Sequence, residues 1–113
     1  MGLIYKFLEN SNKQIDTLKM ATDIIIHDKK DNVGVVVIEK ITPNQDCSCW
    51  IMEDDSSTNI QSVDEIPLGH KIAMIDLNEG DTILKYGHDI GKVVKSIKKG
   101  QHVHVHNVKT KKW

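Results

Sequence analysis

One short pattern recurs along this chain and limits what it can become. Ile66-Pro-Leu-Gly69-His-Lys-Ile72 reads apolar, two residues, Gly, two residues, apolar. Leu77-Asn-Glu-Gly80-Asp-Thr-Ile83 repeats it, and Ile97-Lys-Lys-Gly100-Gln-His-Val103 repeats it again. Ile41-Thr-Pro-Asn44-Gln-Asp-Cys47 is a weaker copy with Asn in the Gly position. Gly, and next best Asn, tolerates positive φ. Each copy therefore sets down an apolar anchor, turns tightly and starts a strand. The spacings between the clear copies, 11 and 20 residues, are unequal, which excludes a solenoid. The pattern predicts one compact domain built around a reused corner.

The segments between corners agree. Thr22–His27 is β-branched and apolar, Lys29-Lys-Asp-Asn32 is a polar turn, and Gly34–Glu39 is rich in Val. Cys47–Met52 and Thr58–Val63 flank Glu53-Asp-Asp-Ser-Ser57, the loop of a hairpin. Long amphipathic helices are absent after residue 20, so the fold class is all-β. Residues 1–19 stand apart: Ile4, Phe7, Leu8, Ile15 and Leu18 are loosely helical in spacing but interrupted by Glu9–Gln14. They read as an N-terminal extension, helical or disordered, to a domain over 20–113.

The 113 residues suit one domain with a thin core. The longest apolar run, Val33–Ile38, is far too short for a membrane span, and Met1–Leu8 has no signal-peptide core. No membrane association is expected, and a cytoplasmic location is. Residues 1–65 carry 6 Lys against 12 acids, net −6, while residues 66–113 carry 9 Lys against 4, net +5. The second half is the part suited to an anionic ligand. The chain has no Arg and few aromatics, which disfavours nucleic acid. Cys47 and Cys49 are two apart: a disulfide there is strained, and a single Cys-x-Cys lacks the second pair of a structural zinc site. Free thiols on one strand face are expected.

Gly100–Asn107, Gly-Gln-His-Val-His-Val-His-Asn, concentrates three imidazoles. On a strand His102, His104 and His106 share one face. Neutral imidazole is a common transition-metal ligand. At about 3.3 Å per residue, His102 and His106 are about 13 Å apart on a flat strand, so at most a neighbouring pair meets one ion. The alternative is a solvated strand face using His as its polar residue.

Ile-Pro-Leu-Gly-His-Lys-Ile-Ala (66–73), Lys-Tyr-Gly (85–87), Ile-Gly (90–91) and Val-His-x-His-Asn-x-Lys-Thr (103–110) resemble the N-terminal domain of the altronate dehydratase family. That domain is similar to SAF domains, small β-clip modules also seen in sialic acid synthases and type III antifreeze proteins. The resemblance spans about residues 22–110 and implies a compact β-clip domain of short strands. It implies a lyase that eliminates water from sugar acids to give 2-keto-3-deoxy acids, using a divalent metal such as iron. A sister branch, sulfolactate sulfo-lyase, eliminates sulfite and has separate small and large subunits. The chain ends soon after the last motif and looks like a small subunit, inactive alone, whose large catalytic partner holds most of the metal ligands. By the same resemblance His70, Lys71, Lys85, Tyr86 and Asn107 bind the acid, and His104 and His106 bind metal. His102 stands where an aromatic is expected and is left outside the site, and His27 and His88 read as surface residues. Non-catalytic binding of a sugar acid or a partner, as in other β-clip domains, is the competing reading. Exposed strand edges leave self-pairing open.

Overall fold

The computed structural model describes residues 22–110, and the expected N-terminal extension lies outside them. The described chain is all strand, in eleven short pieces. They are β1 (Ile24–Ile26), β2 (Val33–Val36), β3 (Lys40–Ile41), β4 (Asp46–Ile51), β5 (Ser56–Gln61) and β6 (Ile66–Pro67). There follow β7 (Lys71–Ala73), β8 (Thr82–Lys85), β9 (His88–Val93), β10 (His102–Val103) and β11 (Val108–Thr110). A six-stranded sheet runs β10-β7-β2-β1-β4-β5, a three-stranded sheet runs β11-β9-β8, and β3 pairs with β6. The β1–β4 pair is parallel; the other pairs are antiparallel.

The corners lie where the repeat places them. Asn44, Gly69, Gly80 and Gly100 all have positive φ, at 61°, 84°, 91° and 91°. Each donates its N–H to a carbonyl of a distant segment: Ser62, Val36, Val93 and Ala73 respectively. The apolar anchors on both sides of every corner are at most 2% exposed. Two of the copies also pair with each other, Leu77 and Ile97 exchanging N–H···O bonds at 2.8 Å. A corner thus costs little backbone strain and buries two side chains, which is how a thin domain gains a core without helices.

The described residues form two apolar clusters rather than one. Ile24, Val36, Ile41, Cys47, Cys49 and Ile72 belong to the first, and Val33, Ala73, Ile83, Val93, Ile97 and Val103 to the second. Strand β7 lies between them, Ile72 facing one and Ala73 the other. Lys71 shares Ala73's face by strand alternation, so its stem runs over the second cluster. Cys47 and Cys49 are free and buried in the first cluster. Burial pushes their thiols up to about 11 and about 12, with neighbouring acids and, for Cys49, Cys47 adding to it. Both side chains pack within that cluster, where a raised thiol is less reactive than an exposed one.

A second link joins the clusters. Asp31, only 8% exposed, accepts N–H bonds from Asp28, Tyr86 and Gly87. Asn32 donates to the Thr82 carbonyl and accepts from the Leu84 N–H. The polar turn seen in the sequence is therefore a clamp that ties β8 and its hairpin turn to the first sheet.

Candidate functional site

Strand β10 ends at Val103. The His104 carbonyl accepts the N–H groups of Asn107 and Val108, and Asn107 Oδ1 accepts the His104 N–H at 3.0 Å. Asn107 Nδ2 donates to the His102 carbonyl at 2.8 Å. This buried amide folds 104–107 into a turn, so the continuous-strand geometry expected for 102–106 is wrong. The His102 and His106 rings have centroids 5.1 Å apart, far inside the separation a flat strand imposes. Asn107, expected at the substrate, spends its amide on holding the backbones of His102 and His104.

The turn delivers imidazoles to a neighbour from another corner. His70 follows Gly69 and leads into β7, which pairs with β10 through His102↔Ile72 and Val103↔Lys71. His70 Nδ1 lies 2.8 Å from His102 Nε2. The His70 and His104 rings stack at 4.1 Å with 21° between planes. One nitrogen from each of His70, His102 and His104 falls within 4.8 Å of the other two. His104 is thus part of the convergent group, His102 is inside it rather than outside, and exposed His106 packs on His102 without joining it. Burial, then the neighbouring imidazoles, hold His102 below the ordinary imidazole range despite Asp64 nearby. Burial, then His70 and Lys71, do the same for His104. Neutral imidazoles keep lone pairs available, which fits a metal-binding donor set.

The lysines adjoin this group. Lys71, with Ile83, Ile90, Val103, His104 and Val105, lines a mostly apolar pocket of about 190 Å³. Burial lowers the Lys71 amine below its usual range, and the positive charge of Lys85 lowers it further. Two cations close enough to perturb each other form a ready site for an anion. The pocket is smaller than the ~300–1,000 Å³ common for small-molecule sites, so a second surface is needed to enclose a ligand.

Lys85 and Tyr86 come from the β8–β9 hairpin, whose two loop residues, Tyr86 and Gly87, have φ of 56° and 73°. Positive φ at both positions is the I′ hairpin turn. For Tyr it carries a cost, met here by the Asp31 carboxylate binding both loop N–H groups. The Tyr86 ring stacks on His27 at 3.8 Å, and Lys85 Nζ lies 5.5 Å from its centroid. His27 is therefore a packing partner of Tyr86, while His88 is exposed as expected. Sequence reasoning missed Asp31, Asn32 and His102. A single Asp in a polar turn carries no local sign of a bond to residues 55 and 56 positions away.

Among the described residues no helix is long and apolar enough to cross a membrane. Residues 22–111 match the family model of the altronate/galactarate dehydratase SAF domain. The chain is 50% identical over 94 residues to the (2R)-sulfolactate sulfo-lyase subunit alpha of Chromohalobacter salexigens, covering 83% of this chain and all of that one. It is 46% identical over 65 residues to the subunit of the same name from Paracoccus pantotrophus, covering 58% of this chain and 97% of the relative. The altronate dehydratase of Bacillus subtilis is 37% identical over 91 residues, 80% of this chain but 17% of that enzyme. The match over four-fifths of the chain, with the corner, Lys-Tyr-Gly and His-x-His-Asn motifs inside it, places this protein in the altronate/galactarate dehydratase SAF-domain family.

Proposed function

We propose that the chain is the small subunit of a cytoplasmic two-component lyase that removes a β-leaving group from a 2-hydroxy acid. The observation that carries this reading is the identity over the whole length of a sulfo-lyase α subunit. The same likeness favours sulfite over water as the leaving group, since the identity to that subunit, 50%, exceeds the 37% to the altronate dehydratase. Elimination of water from a sugar acid is the alternative within the family.

The chemistry fits the residues. Taking the proton from C2 and sulfite from C3 of a 2-hydroxy-3-sulfo acid leaves an enol, which tautomerises to a 2-keto acid. Such a substrate carries two negative charges, and Lys71 in the pocket lining and Lys85, close enough to act on its amine, offer two positive ones. Lys71, set on β7 with its stem over the second cluster, holds one anionic group as a point charge. Lys85, steadied over Tyr86, holds the other. Tyr86, 57% exposed, is free to donate from its hydroxyl. His70 and His104 border Lys71 and complete the rim. A divalent metal, when bound, supplies Lewis-acid stabilisation of the developing enediolate. The small pocket gives the large subunit its place: it closes the site over Val105, which is 71% exposed at the pocket rim.

Purification of the tagged chain from its native cell, with mass spectrometry of what accompanies it, tests the assignment. A stoichiometric larger chain of the dehydratase or sulfo-lyase family is expected. Recovery of the chain alone removes the two-component reading.

A further inference from the structure

We infer that His70, His102 and His104 together form a three-nitrogen site for a divalent transition metal, held by this chain alone. It adds ligands to the lyase reading and rests on that reading only for what the metal is used for. The ligand set differs from a pair of alternate residues on one strand. It is assembled from two corners, His70 and His102 being 32 residues apart in sequence, and the β7–β10 pairing brings them together.

Each ring hangs from a backbone already fixed. The His70 carbonyl accepts the Val36 N–H at 2.9 Å, and its own N–H donates to Pro67 at 3.1 Å. The His102 N–H donates to Asp64 Oδ2 at 2.9 Å and its carbonyl accepts from Asn107. His104 is held by Asn107 on one side and by Val108 on the other. Preorganised backbones and neighbouring rings are what a metal centre needs from its protein. The three ligand nitrogens already lie within 4.8 Å of one another.

The short His70 Nδ1···His102 Nε2 contact of 2.8 Å is the most telling feature. Without metal, one of these nitrogens carries the proton and the other accepts it. With metal, both turn lone pairs to the ion, and the N–H moves to the outward nitrogen of the ring that carried it. The group has no carboxylate member, and the Asp64 carboxylate accepts the His102 backbone N–H. A nitrogen-only set selects zinc, iron(II), cobalt or nickel over magnesium and calcium, which require oxygen ligands. Three protein ligands leave at least one position open, as in catalytic rather than structural sites. His104 lines the same pocket as Lys71, so a metal held by this group would border the proposed acid site.

The test is titration of the untagged full chain with Co²⁺, followed by visible absorption, with Zn²⁺ competition and with Mg²⁺ as the oxygen-seeking control. One equivalent is expected to bind, to be displaced by Zn²⁺ and to ignore Mg²⁺. Loss of an outer-sphere partner costs a metal site ~10–100-fold, so His70→Gln, His102→Gln and His104→Gln are each expected to weaken binding by about 100-fold or more. His106→Gln is expected to stay close to the parent. Imidazole proton NMR of the parent protein supplies a reading independent of variant folding: Co²⁺ should shift or broaden His70, His102 and His104 ahead of His27 and His88. No binding, binding that survives the three substitutions, or loss confined to His106→Gln overturns the site. None of these readings involves a partner or turnover, so they stand or fall apart from the lyase assignment.

Discussion

Replacing Gly100 with alanine is expected to cost the fold about 4 kcal/mol, close to half the stability of a typical small domain. Two effects add. Gly100 has φ of +91°, a region that costs a residue with a Cβ about 1–2 kcal/mol. A methyl group there would also overlap the Gln61 carbonyl oxygen and press on Val63 Cγ2 at 3.2 Å, an overpacking worth about 1–3 kcal/mol. The obstacle is backbone, so no rotamer change relieves it. Gly80 has the same φ but nothing within 4 Å of an added Cβ, and Gly80→Ala should lose only the first of the two terms. Urea unfolding of the pair measures the difference directly. Equal losses would mean that the Gly100 corner is not packed against β5 as described. Because β10 begins two residues after Gly100, this variant should also loosen the imidazole group.

The second large effect is expected at Asp31. Asp31→Ala removes one carboxylate and strands three N–H groups, those of Asp28, Tyr86 and Gly87. Hydrogen bonds to a charged acceptor contribute ~1.5–3 kcal/mol each and are not additive within one group, so a loss of about 3 kcal/mol is expected. Asp31→Asn keeps one accepting oxygen and should fall between. The loss should be local in a specific way. Tyr86 holds a left-handed φ of 56° only because its N–H and that of Gly87 are bound. Without Asp31 the turn relaxes, the His27–Tyr86 stack opens and Lys85 loses its support. The ring-current shift of the His27 protons reports this. An unchanged shift alongside the stability loss would show that the turn keeps its shape without the clamp.

These two sites mark what the sequence discloses and what it hides. Gly100 was legible because its requirement is local: a glycine between two apolar anchors announces positive φ whatever the partner strand is. The same locality made the hairpin around residues 53–57, the Val-rich strand and the all-β class readable. Asp31 was not legible, since its partners are fixed by a long-range register that no neighbouring residue encodes. The imidazole group is the mixed case. Gly-His-Lys and His-x-His-Asn mark the two corners that carry these histidines, yet strand alternation put His102 and His106 far apart, because a strand continued to Asn107 was assumed. The buried amide of Asn107 ends it at Val103 instead. Which histidines meet followed from that turn and from the β7–β10 pairing, and both are tertiary facts.

The functional account predicts that the site is half built. Lys71, Lys85 and the three histidines occupy one edge of the six-stranded sheet and the hairpin beside it, and the pocket lined by Lys71 and His104 holds too little volume for an enclosed substrate. The most direct measurement is turnover of a 2-hydroxy-3-sulfo acid by this chain mixed with its co-purified large subunit, following sulfite and 2-keto acid together. The account predicts equal release of both products when the two chains are combined, and none from either alone. Full activity of the large subunit without this chain would contradict it.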